Sequence, residues 1–175
     1  MEAMMMRKRL FELAAGMVVV TAALATPALA EEADGREDPL QIGLQAVNEG
    51  DLPAAIASLR IAADEGSAEA QAWLGYIFDY SEDDEEAVAY YRAAAEQGNV
   101  RGLSGLGEMY VKGEGVERNL EEGRKYFIKA AELGDAGSIR ILIAAYEEGG
   151  LGVDPDVGQA EYWKARLAEL EANDQ

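Results

Sequence analysis

A five-residue phrase, Ala-Ala-x-x-Gly, occurs three times: at Ala62–Gly66, Ala94–Gly98 and Ala130–Gly134. The glycines are 32 and then 36 residues apart. Self-similarity at this period marks a repeat architecture, in which one supersecondary unit is too small to bury its apolar face and must stack on the next. Other positions keep the same register. Leu74-Gly75 and Leu106-Gly107 stand at one offset from the preceding glycine, and Phe78, Tyr110 and Tyr146 at another. Tyr90-Tyr91 corresponds to Tyr126-Phe127, and Tyr126 in turn to Trp163. Gly113-Glu114-Gly115-Val116 is echoed by Gly150-Leu151-Gly152-Val153.

Each unit reads as two helices, because small and apolar residues recur at steps of three and four. First helices are predicted at Ala68–Asp79, Val100–Lys112 and Ala136–Glu147, and second helices at Glu82–Glu96, Asn119–Glu132 and Val157–Ala172. Gly66, Gly98 and Gly134 fall where a helix closes on a left-handed residue. Ser67, Asn99 and Asp135 follow at once and can cap the next helix. Gly75, Gly107, Ala87, Gly123 and Ala160 are small enough for helix backbones to approach closely, with Tyr and Trp filling the space between units. Trp73 and Trp163 are accordingly expected in the core. The expected fold is all-α: a right-handed α-solenoid of about four helix–turn–helix repeats, its groove lined by the first helices.

The second unit is four residues short and carries Ser81-Glu82-Asp83-Asp84-Glu85-Glu86 where the Gly-x-Gly-Val loop would be. This acidic run lacks the alternating ligands and central glycine of an EF-hand loop. It reads instead as a Ser81 cap followed by acidic residues at the positive end of a helix. Upstream, Asp38-Pro39 looks like a cap and first helical residue, followed by helices at Leu40–Glu49 and Leu52–Glu65. At the far end, Tyr162–Leu170 lacks the Ala-Ala-x-x-Gly closure and has a polar outer side, as a terminal cap requires. The residues after Ala172 are expected to fray. The solenoid domain thus spans 39–172, with units at 39–66, 67–98, 99–134 and 135–172.

The N-terminus has the layout of a secretory signal peptide. Arg7, Lys8 and Arg9 precede a mostly apolar run, Pro27 breaks it, and Ala28-Leu29-Ala30 places cleavage before Glu31. The uncharged stretch Leu13–Ala30 is short and interrupted for a membrane span. Residues 31–38 read as a disordered leader, and the processed protein is expected to be periplasmic or secreted, without membrane insertion. The whole chain has 34 Asp+Glu against 15 Lys+Arg, for a net charge of −19. Loss of residues 1–30 removes three basic and two acidic groups, which leaves −20. Such a surface repels phosphate backbones, so nucleic acid is not an expected partner.

There is no Cys and no His. That removes disulfides, thiolate nucleophiles, the commonest metal ligand and the commonest general base. Five serines are left after residue 30, with no Thr, and at least three of them read as caps or helix-face residues. No spacing selects a carboxylate pair for glycan hydrolysis. The chain is therefore read as non-catalytic, with no catalytic or metal residues and no cofactor.

The repeat pattern resembles the Sel-one-like repeat (SLR), a branch of the tetratricopeptide-like helical repeats. The third unit carries the likeness through Leu106, Gly107, Tyr110, Gly113, Gly115, Val116, Tyr126, Phe127, Ala130, Ala131 and Gly134. The second carries it through Ala68, Ala70, Leu74, Gly75, Ala87, Tyr90, Tyr91, Ala94, Ala95 and Gly98. The fourth keeps Tyr146, Gly152, Val153, Ala160 and Trp163, but has Ile143 where the pattern calls for Gly and one inserted loop residue. The resemblance implies a scaffold for protein or peptide partners, acting in the bacterial cell envelope or, as an alternative, as a secreted factor on host proteins. Some cysteine-rich relatives were proposed to bind β-lactams, but the stapling Cys pairs are missing here. The family geometry places Glu69, Ala72, Tyr76, Asp79 and Tyr80 on the groove. It adds Arg101, Ser104, Glu108, Val111 and Lys112, then Gly137, Arg140, Ala144, Glu147 and Glu148. Arg101, Lys112 and Arg140 are candidates to hold a partner's carboxylate, or else to pair with Glu69, Glu108 or Glu147. The protein is expected to be monomeric.

Overall fold

Small and apolar residues at helical spacing, punctuated by glycine and a capping residue, make the chain a string of short helices. A computed structural model describes residues 38–173. It contains eight helices: α1 Pro39–Glu49, α2 Leu52–Asp64, α3 Ala68–Tyr80, α4 Asp84–Glu96, α5 Val100–Lys112, α6 Leu120–Glu132, α7 Ala136–Glu148 and α8 Val157–Asn173. Among the described residues there is no strand, only a bridge between Gly150 and Val153 in the loop before α8. The proposed signal peptide and residues 31–37 of the leader lie outside the described residues. Asp38 belongs to the folded part, since its carboxylate accepts the Leu40 N–H at 2.9 Å and caps α1.

The expected caps form. Ser67 Oγ accepts from Ala70 N–H, Asn99 Oδ1 from Gly102 N–H and Asp135 Oδ2 from Ser138 N–H, at 3.2, 3.0 and 2.7 Å. The Ala-Ala-x-x-Gly phrase also shows its purpose. Ser67, Asn99 and Asp135 N–H each donate back to the first alanine carbonyl, Ala62, Ala94 or Ala130, while the glycine N–H donates to the second. This is the Schellman closure, and it requires the left-handed conformation found at Gly66, Gly98 and Gly134.

Ser81 departs from expectation. It does not cap α4; it closes α3, its hydroxyl donating to the Ile77 carbonyl at 2.9 Å. The chain then turns through Glu82 at φ 63°, and α4 starts two residues later than its pattern suggests, behind Asp83, whose side chain makes no capping bond. Asp84, Glu85 and Glu86 do occupy the first turn of α4, where the helix dipole favours negative charge.

Helices pair in sequence as α1 with α2, α3 with α4, α5 with α6 and α7 with α8, and each pair packs on the next. Among the first helices, α3 also touches α1 and α5, forming an inner layer. Small residues permit this. A Cβ at Gly107 would lie 3.2 Å from the Gly123 carbonyl oxygen, and one at Gly75 would lie 2.5 Å from the Tyr91 ring. Repeat-equivalent Gly107 packs likewise on Phe127. In the last unit the glycine becomes Ile143, which packs against the second apolar cluster, and the ring becomes Lys164, which pairs with Glu147.

Two apolar clusters result. One centres on Leu59, Leu74, Ile77, Tyr91, Leu106 and Met109, the other on Phe127, Ile139, Leu142 and Trp163. Trp163 is core, 4% exposed. Trp73 is not fully so: it is half-buried, packed against the first cluster with part of its ring facing outward.

Candidate interaction groove

A depression of about 490 Å³ lies at the N-terminal ends of α3 and α5, with Asp135 before α7 at its edge. Its lining includes Glu69, Ala72, Arg101 and Ser104, four positions that the repeat register places on the groove. Ala72 is the buried floor, and the others form the walls. Asn99, Val100 and Asp135 complete the lining. Asn99 and Asp135 are legible in sequence as helix caps; their second role arises because the starts of successive first helices lie side by side.

Arg101 is fixed by aromatic contact. Its guanidinium lies 3.8 Å from the centre of the Trp73 ring, and Trp73 meets Tyr76 edge-on at 5.9 Å. A planar cation on an indole face is stabilised by the ring quadrupole. Tyr76 and Tyr80 continue the stripe along α3 and are 49% and 76% exposed. This places an aromatic strip and one guanidinium on the same face.

The middle of the groove is acidic and internally bonded. Asp79 accepts a long hydrogen bond from the Tyr91 hydroxyl at 3.5 Å. Burial, with help from Asp79 and Glu108, pushes the Tyr91 phenol well above its usual range. Burial also raises the Glu108 carboxyl, with Asp79, Asp135 and Glu114 adding to it and Lys112 opposing. Lys112 sits 3.1 Å from Glu114 and 4.0 Å from Glu108. Its ammonium is raised chiefly by the Glu114 hydrogen bond.

The α7 positions are engaged elsewhere. Arg140 bonds Glu171 on α8 at 3.0 Å, and Glu147 bonds Lys164 on α8 at 2.8 Å. Lys164, also bonded to Glu161, is raised accordingly. Of the three cations expected to offer a partner's carboxylate a site, Lys112 and Arg140 are thus satisfied within the chain, Arg140 by a residue the register did not indicate. Val111 is half-buried and packs on the second apolar cluster. Among the described residues no group of His, Cys, Asp and Glu is arranged to hold a metal, and no helix is long and apolar enough to cross a membrane.

Solved structures similar to this chain include two Sel1-type proteins. A Sel1 repeat protein from Oxalobacter formigenes superposes with a TM-score of 0.68 at 29% identity, over 75% of this chain and 57% of its own. The c5321 protein, a protective antigen of uropathogenic Escherichia coli displaying an SLR fold, gives 0.59 at 28% identity over 69% of this chain and 29% of its own. The chain therefore spans little more than half of the first and under a third of the second. No curated protein sequence matches it significantly. Sel1 repeats typically serve as non-catalytic scaffolds for protein–protein contacts. The Sel1 repeat pattern matches residues 68–99, 100–135 and 142–171, more than half of the sequence, and with the paired-helix stack this shows that the chain belongs to the Sel1 repeat family.

Proposed function

We propose that the chain is an exported, non-catalytic interaction module that binds a protein or peptide segment along its first-helix face, in the bacterial cell envelope. The observation that carries this reading is the depression between α3 and α5, where Arg101 stands on Trp73 beside exposed Tyr76. Aromatic and Arg side chains that are rigidly held and partly desolvated are the residues that anchor protein partners. The signal-peptide layout of residues 1–30 supports export, and the acidic surface supports solubility and steering of a basic partner.

Affinity capture from the source cell's envelope fraction tests the groove. Tyr76→Ala and Arg101→Ala should each abolish recovery of the partner, whereas Arg140→Ala should not, because its guanidinium is tied to Glu171. Unchanged capture by both of the first two variants sinks the assignment. Mass spectrometry of protein released by osmotic shock tests export: the expected N-terminus is Glu31, and an uncleaved chain in the cytosolic fraction contradicts it.

A further inference from the structure

Within the last three units, the helix pairs α3–α4, α5–α6 and α7–α8 each form a junction with rings at the same register positions: Phe78 and Tyr90, Tyr110 and Tyr126, Tyr146 and Trp163. At the first, Phe78 of α3 stacks on Tyr90 of α4 with ring centres 5.6 Å apart, and Arg60 of α2 lies over Phe78 at 5.6 Å. At the second, Tyr110 stacks on Tyr126 at 5.7 Å, and the cation over Tyr126 is Lys129 at 5.3 Å. Each of these junctions therefore closes as two parallel rings with a cation from the chain itself.

The third junction is different. Position 60 corresponds to Arg92 at the second junction and to Ile128 at the third. Lys129 corresponds to Arg166, which is bonded to Glu169 at 2.8 Å. The register pair here is Tyr146 and Trp163, and the ring that Trp163 meets is instead its neighbour Tyr162, edge-on at 5.0 Å. The result is an open pocket of about 370 Å³ lined by Ile128, Glu132, Tyr146, Gln159, Tyr162 and Trp163. It holds three aromatic rings and an exposed carboxylate, with no cation on the rings among the described residues.

We propose that this pocket between α6, α7 and α8 takes an arginine side chain from a protein partner. The guanidinium would lie against the Tyr146 and Tyr162 rings, with buried Trp163 behind them, and face Glu132, as a partner's version of what Arg60 does within the chain. Rings with an adjacent carboxylate attract a desolvated organic cation, and the strongly acidic chain favours its approach. The site is separate from the first-helix groove and does not depend on it.

The test is titration of the full nitrogen-15-labelled protein with acetyl-Gly-Arg-Gly-amide, following the two indole N–H signals, assigned with Trp73→Phe. The neutral citrulline peptide of the same shape is the control. The Arg peptide should move the Trp163 signal saturably and the citrulline peptide should not. Glu132→Gln should weaken binding roughly threefold, and Tyr162→Ala should remove it; both residues are exposed, so neither change threatens folding. Ile128→Arg should restore an internal cation and abolish binding while helical circular dichroism is kept. Equal shifts with citrulline, shifts confined to Trp73, no saturable shift, or undiminished binding in Glu132→Gln would each overturn the proposal.

Discussion

Tyr91 is clamped between two glycines. A Cβ at either Gly75 or Gly105 would come within 2.5 Å of its ring, so the ring cannot yield to one side without meeting the other. Gly75→Ala should therefore destabilise the protein by about 1–3 kcal/mol, the ordinary cost of overpacking a core. Tyr91→Leu in the same chain should recover part of that loss, because neighbours in contact are not additive. Urea midpoints of the two single variants and the double variant measure this, and strict additivity contradicts the clamp. Glu108 gives the second residue-scale prediction. Its carboxyl is raised on folding, first by burial. A raised acid disfavours the folded state above its folded pKa, and the penalty fades as pH falls toward the ordinary value near 4.5. Glu108→Gln should raise Tm at neutral pH, and the advantage should vanish on acidification below that value. An advantage independent of pH contradicts it. Gly75 is visible in the sequence as a repeat position, whereas Gly105, whose register equivalents are Trp73 and Ile141, is not. That Glu108 is a groove acid with a raised carboxyl is not visible there, because this depends first on burial and then on Asp79, Asp135 and Glu114 arriving from other segments.

The helix is the scale at which the sequence was most informative. Caps and closures are local chemistry, so Ser67, Asn99 and Asp135 could be assigned from their neighbours alone, and their bonds form as expected. Ser81 failed because two local uses competed. The shortened link between α3 and α4 needs a C-terminal closure before it needs a cap, and the hydroxyl serves the former. The acidic residues of the first turn then stabilise α4 through the dipole without a side-chain cap. Asn99→Ala should accordingly cost about 1 kcal/mol. Ser81→Ala should cost distinctly less, since its bond duplicates an acceptor already used by a backbone N–H. Denaturant midpoints of the two variants compare them, and equal losses would mean that Ser81 does nucleate α4. The groove was legible only in part for a related reason. Register places a residue on a face, but it does not show that Arg140 finds Glu171 or that Trp73 receives Arg101. Those partners lie on other helices, and their reach depends on side-chain direction rather than spacing.

In the whole molecule, packing runs between helices adjacent in the chain and along the inner row of first helices, so stability is expected to be a sum of neighbouring terms. The apolar interior follows this, divided into a cluster from α1 to α5 and another around α6, α7 and α8. Leu74 and Leu142 are repeat equivalents, both fully buried, one in each cluster. Truncating either to Ala should cost about 2–5 kcal/mol locally, but the two losses should appear in different places. Hydrogen exchange of Leu142→Ala should show protection falling in α7 and α8 and persisting in α1 to α4, while Leu74→Ala should reverse that pattern. A uniform loss across all eight helices in either variant would mean that the stack opens as one cooperative body. The separation also bears on function. If the two ends open independently, a partner gripping the pocket at α6, α7 and α8 should slow exchange there without altering the Arg101–Trp73 face. One bridging both surfaces should protect the whole row of helices at once.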